Sequence, residues 1–309
     1  MHCRTGACAI LGRLGVWRSL VARSVRVGEV PSSNLGTPMS TFVPFTSGFV
    51  ALCAVQAITV LGPRQPPRLV RRAWLGLIPL AAIGGIAMLL AERPSLAQQA
   101  TDLAAIATPI AFAGGVVAFR IRALALLAPV LYVIAWKGDG RPAQIATDAL
   151  IVGAAVTLAW LTGTVAPRGG LSVGILVASV VDVYQVVVSE QVQVASRALS
   201  AAQPVSDLPR LQELVWGTAS MGWGDAYLAG LLGVVLAGSV LRTRLVAAGA
   251  VFLLGVAFGF LFHVLDTLPA TVPVAAALLI ALALDATVPE TQEGRSPWLR
   301  RRPAATSGS

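Results

Sequence analysis

Residues 171–188 read LSVGILVASVVDVYQVVV, and residues 221–228 read MGWGDAYL. The first stretch is an apolar run with one acid, Asp182, near its middle. The second sets Asp225 behind two glycines, again among apolar residues. About 20 mostly apolar residues are what a helix needs to cross a bilayer. A carboxylate held at that depth costs on the order of 2.5–3.5 kcal/mol even on the lenient insertion scale, so an acid there is a functional hypothesis by default.

The same texture extends through the chain. Of 309 residues, 56% are hydrophobic and 12% are charged, and the mean hydropathy is +0.78. A soluble domain carries about 25% charged residues, so an ordinary water-soluble globule and a disordered chain are both excluded. Alternating apolar and polar ten-residue segments are missing, which points to spanning helices rather than a β-barrel. The fold expected is therefore an all-α polytopic membrane protein. Nine spans are expected, at about 42–62, 73–91, 102–119, 121–136, 145–166, 169–194, 214–238, 245–267 and 268–288. The eighth and ninth are parted by little more than Asp266, Thr267 and Pro269, so eight is the competing count.

The chain divides into four regions. Residues 1–38 are basic, with Arg4, Arg13, Arg18, Arg23 and Arg26, and contain no apolar run long enough to span. The native start is expected at Met39, two residues before the first span. Residues 39–166 carry helices one to five, and 167–288 carry helices six to nine. Residues 289–309 form a polar, Pro-rich tail with Arg300, Arg301 and Arg302 in a row, expected to be disordered at a membrane surface. The net charge of +9 lies largely in short loops and tails, where it reads as a topology signal and an attraction to lipid rather than as a nucleic-acid site. Cys3, Cys8 and Cys53 form no disulfide or metal framework. Gly255 and Gly259 make a GxxxG step suited to close helix packing.

Most acids fall in loops, tails or, as with Asp102, Asp148, Asp266 and Asp285, within about two turns of a helix end, where a carboxylate reaches the headgroups. Asp182 and Asp225 have no such excuse. Two carboxylates on consecutive spans are tolerable if they face each other and share a proton. That half-ionised pair also performs aspartic proteolysis, one carboxylate taking a proton from water while the other gives one to the scissile carbonyl. Gly222 and Gly224 clear side chains from beside Asp225, leaving room for water and an extended backbone. Pro269, Ala270 and Thr271 open the ninth segment, where the proline frees backbone groups that must face protein, water or substrate.

With these motifs the chain resembles the presenilin and signal peptide peptidase family of intramembrane aspartyl proteases. The resemblance covers 42–288 as a nine-span plan, and its specific part is 179–271. The family carries Tyr-Asp on its sixth span, Gly-x-Gly-Asp on its seventh and Pro-Ala-Leu at its ninth. Here Ser179-Val-Val-Asp182 supplies the first Asp, Gly222-Trp-Gly-Asp225 the second motif, and Pro269-Ala270-Thr271 two of three residues in the last. Val181 replaces the family's Tyr and Thr271 its Leu, both positions that the resemblance implies shape the substrate site. The resemblance implies hydrolysis of transmembrane peptides or remnant signal peptides by Asp182 and Asp225. No metal or cofactor is implied, and the partners are the substrate and the lipid bilayer. It also implies that the substrate pairs as a strand near the site.

Two alternatives stay open. Prepilin peptidases also use an intramembrane GxGD, but usually with a Lys where this chain has Tyr227. A transporter could use the two carboxylates for proton or cation movement, although acids at depth occur only in the second half, without the internal symmetry common in transporters. A zinc protease is excluded by inventory: the only histidines are His2 and His263, and no HExxH exists.

Loop charge sets the orientation. With nine spans, the side holding the C-terminal tail carries thirteen Lys and Arg and the other side five, which becomes ten if residues 1–38 are included. A start at Met39 thus restores a clear positive-inside signal. The expected orientation has a cytoplasmic C-terminus, in what the Arg-rich composition marks as a bacterial plasma membrane, and the 195–214 loop outside. A C-terminal fluorescent fusion that matures only in the cytoplasm should light up, and a phosphatase active only after export should stay silent. The reverse pair of results would reject this orientation.

Overall fold

A computed structural model describes residues 42–63, 65–67, 72–119, 125–189, 191–205, 208–217, 219–260 and 269–287. The basic N-terminal segment, the C-terminal tail, His263 and Asp266 lie outside the described residues. Contacts divide the chain after Phe42, and the helical bundle is the unit from Val43 onward.

Along the chain run α1 (Phe42–Leu61), a composite helix α2 (73–92), α3 (Leu96–Ala118), α4 (Leu127–Lys137), α5 (Gly140–Val165), α6 (Arg168–Val187) and α7 (Gln191–Ala201). A hairpin of β1 (Glu213–Trp216) and β2 (Ala219–Gly222) comes next, then α8 (Trp223–Val235), α9 (Leu241–Gly259) and α10 (Thr271–Thr287). Four of these, α3, α5, α6 and α9, are long and apolar enough to cross a membrane, and the apolar stretches of α1, α4, α8 and α10 are shorter.

Which residues face outward identifies the solvent. On α3, Thr101, Ala105 and Thr108 are buried, while Leu103, Ile106 and Ile110 are 57–67% exposed. On α6, Ser172, Ser179 and Asp182 are buried, while Val173 and Val180 lie outside. Residues three and four apart share a helix face, so α3 and α6 turn their polar residues inward and carry bulky apolar side chains outward. That is the reverse of a helix in water and what a hydrocarbon solvent demands. The chain is a helical protein with four helices long and apolar enough to cross a membrane.

The centre of the bundle is α8. From Ala226 to Val235 every residue is buried, because the segment is apolar all round. It packs on α5, α6 and α10. Close approach depends on small residues: a Cβ on Gly233 would strike the Val60 carbonyl of α1, and one on Gly230 would meet Ala159 of α5 at 3.0 Å. In the GxxxG step, Gly255 lies against the Cys53 side chain and Gly259 against the Phe49 ring, both on α1. Charged groups tie the helix ends. Arg244 of α9 donates to the carbonyls of Leu61 (2.6 Å) and Pro63 (3.1 Å), capping α1. Arg168 and Ser239 both donate to Asp285 Oδ2, joining α6, the α8–α9 connection and α10.

Three expected elements differ. The seventh, expected over 214–238, begins as the β1–β2 hairpin, and its helix has only 13 residues. The stretch is apolar enough to span, but the residues of β2 alternate in burial, and a two-residue connection through Gly217, at φ +64°, folds it back. The sixth stops at Val187, and a separate helix, α7, comes after it. The second is not one regular α-helix: it passes through a 3₁₀ turn (Ala73–Leu77) and a π turn (Ala81–Gly85).

If the α8–α1 contact sets bundle stability, Gly233→Ala should lower the thermal unfolding midpoint in detergent, by an overpacking term of about 1–3 kcal/mol. Gly249→Ala on α9, where an added Cβ meets nothing within 4 Å, should leave it unchanged or raise it. Equal behaviour of the two variants would refute the packing account.

Candidate functional site

Asp182 lies on the inward stripe of α6 and is 6% exposed. At 1.5 Å per residue it stands about 21 Å along α6 from Arg168, closer to the end that leads toward the hairpin. Asp225 is in the first turn of α8. Its helix starts where β2 stops: Gly222 is both the last residue of β2 and the residue that begins α8. The Gly222 N–H bonds back to the Asp225 carboxylate, the N3-to-Ncap half of a capping box. The GxGD motif is thus a strand-to-helix junction. A Cβ on Gly222 would lie 3.2 Å from Asp225 Oδ2, so a side chain there would crowd the carboxylate. Gly222 is exposed, and Gly224 and Asp225 are each partly so, leaving this side of Asp225 open.

α6 and α8 pack against each other, and Asp182 stands close enough to Asp225 to act on it electrostatically. The third element arrives through α10. Thr271, 1% exposed, donates its hydroxyl to Asp182 Oδ2 at 2.6 Å, and its backbone N–H also bonds to Asp182. Ser179, one turn before Asp182, lies 3.2 Å from the Thr271 carbonyl and 3.0 Å from that of Ile175. Pro269 is buried, and the Ala270 carbonyl receives the Gln56 side chain of α1 at 3.2 Å. The Ala270 and Thr271 carbonyls beside the proline are thus taken up by protein. Thr271 meets Asp182 and Gly222 meets Asp225, on helices that pack together; Gly224, Pro269 and Ala270 flank them along their own segments.

The two departures from the Tyr-Asp and Pro-Ala-Leu patterns have local meanings. Thr271 supplies a donor that leucine lacks. Val181 turns toward α2, its Cγ1 3.2 Å from where a Cβ on Gly84 would be. Gln185, one turn after Asp182, donates to the Gly84 carbonyl at 3.1 Å, within the π turn.

Several polar residues at or near the site were passed over in the sequence. Gln56 carried a signal, as a lone amide in an apolar span. Ser179 lies one turn from Asp182 and so shares its face. Tyr227 bonds to Thr162 of α5 at 2.9 Å and stacks on Trp223, which orients the first turn of α8. Glu213 is opposite Gly222 in the hairpin, half-buried, with Arg210 near enough to act on it electrostatically. The placement of Asp148 at a headgroup is wrong: it is 5% exposed and accepts the Val215 N–H of β1 at 3.0 Å. Depth along a helix does not reveal that a hairpin covers its end.

Comparison with models of known protein families, with curated proteins and with solved structures finds no match in any of the three.

Removing the Thr271 hydroxyl should strip a buried carboxylate of its side-chain donor, a loss of about 1–3 kcal/mol. Thr271→Val should therefore lower the unfolding midpoint, and Thr271→Ser should restore most of it. A Thr271→Val protein as stable as the parent would show that the bond contributes nothing.

Proposed function

We propose that the chain is an intramembrane aspartyl protease of the presenilin-like kind. It hydrolyses peptide bonds of transmembrane segments or remnant signal peptides with Asp182 and Asp225. The observation that carries this reading is the meeting of two intramembrane carboxylates on packed helices at a strand-to-helix junction, with Thr271 hydrogen-bonded to one of them. The four long apolar helices, the four shorter ones and the composite α2 support a nine-span bundle. In this reading it sits in a bacterial plasma membrane with its C-terminus in the cytoplasm.

The chemistry needs no covalent intermediate. One carboxylate removes a proton from water as the water oxygen attacks the scissile carbonyl carbon. The other, protonated, gives its proton to the carbonyl oxygen, forming a tetrahedral gem-diol. Collapse breaks the C–N bond, and the leaving nitrogen takes back a proton. Thr271, bonded to Asp182 Oδ2, helps hold that carboxylate in orientation.

A substrate helix must unwind to offer a carbonyl, and its released backbone groups need partners in the bilayer. Pairing with an existing strand supplies them. β2 is bonded to β1 on one side and leads through Gly222 directly to Asp225. A strand laid along its other side, past the exposed Ser220, would bring its peptide bonds toward the two carboxylates.

Asp182→Asn and Asp225→Asn each keep side-chain size and remove the ionisable group. Both proteins should insert, and both should lose cleavage of a single-span reporter by a factor of about 10³ or more, as expected when one member of an acid–base pair is lost. Chelators should have no effect. Near-parental cleavage by either variant would refute the two-carboxylate mechanism.

A further inference from the structure

Asp148 is the buried acid that this mechanism leaves unused. It lies on α5, its Oδ1 accepts the Val215 N–H at 3.0 Å, and its Oδ2 is buried without a hydrogen-bond partner among the described residues. Burying a carboxylate among membrane helices is unfavourable unless something offsets it. The packing of α5 gives no reason for one: Ala146, Leu150, Ile151 and Ala154 around it are small or apolar and also buried. The one described group bonded to Asp148 is the hairpin.

Val215 faces Ser220 in the β1–β2 register. In an antiparallel pair, alternate residues point their N–H and C=O away from the partner strand. A hairpin at membrane depth leaves such outward groups on both edges, and each needs an acceptor or donor. On β1 the outward N–H of Val215 is bonded to Asp148 on α5. That edge is therefore occupied by α5, which packs along β1, and β2 is left as the edge next to the carboxylates.

We propose that Asp148 is a positioning residue that fixes the depth and register of the hairpin and thereby selects which peptide bond of a substrate reaches Asp182 and Asp225. This rests on the protease reading above. A slip of one residue along a strand is about 3.3 Å and turns the opposite face inward. Proton transfer operates over heavy-atom separations of about 2.6–3.2 Å, so one slip removes the chosen carbonyl from reach. Asp148 to Val215, Val215 to Ser220, Ser220 to Gly222 and Gly222 to Asp225 form a short connected path from the anchor to the site. The Gly217 connection is only two residues long, so β2 moves with β1.

The test uses the full chain in lipid nanodiscs with a single-span reporter peptide, reading kcat, KM, the masses of the products and hydrogen exchange across β1. Asp148→Asn keeps an acceptor oxygen; it should cut at the parental bond with kcat within about threefold. Asp148→Ala should lower kcat at least tenfold with KM within about threefold, spread cleavage over neighbouring bonds, and speed exchange at Val215. Asp148→Glu keeps the charge but moves the acceptor by one methylene. It should lower kcat and displace the cut even if the Ala variant does not fold. Parental cut position and rate in the Ala or Glu variant overturns the proposal, as does an equal loss in the Asn and Ala variants with exchange at Val215 unchanged. A parental protein that cleaves no reporter overturns the protease reading instead. Exchange then judges the anchor alone, and an unchanged Val215 amide in Asp148→Ala overturns that too.

Discussion

The structure depends on one constraint: inside a bilayer, polar groups must find their partners within the protein. It explains why Gln56, Thr101, Thr108, Ser179 and Asp182 point inward, beside buried Leu150, Ile151, Leu171 and Ile175, while the outward faces of α3 and α6 carry leucine, isoleucine and valine. It also explains why the inward polar groups come in sets. Asp182 takes the Thr271 hydroxyl, Ser179 approaches the Thr271 carbonyl, and Gln56 takes the neighbouring carbonyl of Ala270. Thr162 and Tyr227 satisfy each other. Each set joins helices distant in sequence, so the bonds that dispose of polar atoms also fix the relative placement of α1, α5, α6, α8 and α10.

The same constraint governs the break before α8. A 13-residue helix is about 20 Å long, shorter than a hydrocarbon core of about 30 Å. The residues before it form the hairpin, a backbone that is not helical. Such a backbone is tolerated at depth only where protein covers it or a cavity adjoins it. Here Leu214, Ala219 and Met221 turn inward and the Val215 N–H goes to Asp148. The exposed partners on the opposite face, Ser220 and Gly222, lie beside the open side of Asp225. Under the proposed reaction, the feature that interrupts the span is the one that presents substrate.

Thr271 shows how a departure from a motif reads differently once neighbours are known. By itself, a threonine in place of an apolar residue looks like erosion of the Pro-Ala-Leu pattern. In the fold its hydroxyl is 2.6 Å from Asp182, and a hydrogen bond to an ionised group is among the stronger ones available. The residue thereby acquires a task in orienting a carboxylate that a leucine could perform only by packing.

Composition and apolar run length, with no other information, marked the chain as helical with runs long enough to cross a membrane, because apolar runs of about 20 residues have few other homes. Two unexcused acids and the glycines before one of them marked Asp182 and Asp225, because charge at depth is costly and therefore conspicuous. Pro269 and Ala270 were visible for a similar reason, as a break where the backbone needs partners. What only the tertiary structure decided is which groups those partners are. That Thr271 reaches Asp182, that Gln56 reaches Ala270 and that Asp148 holds Val215 are contacts between residues 67 to 214 positions apart. The hairpin inside the seventh apolar stretch was hidden for a related reason. Run length measures hydrophobicity, and a strand buried against α5 needs as much of it as a helix does.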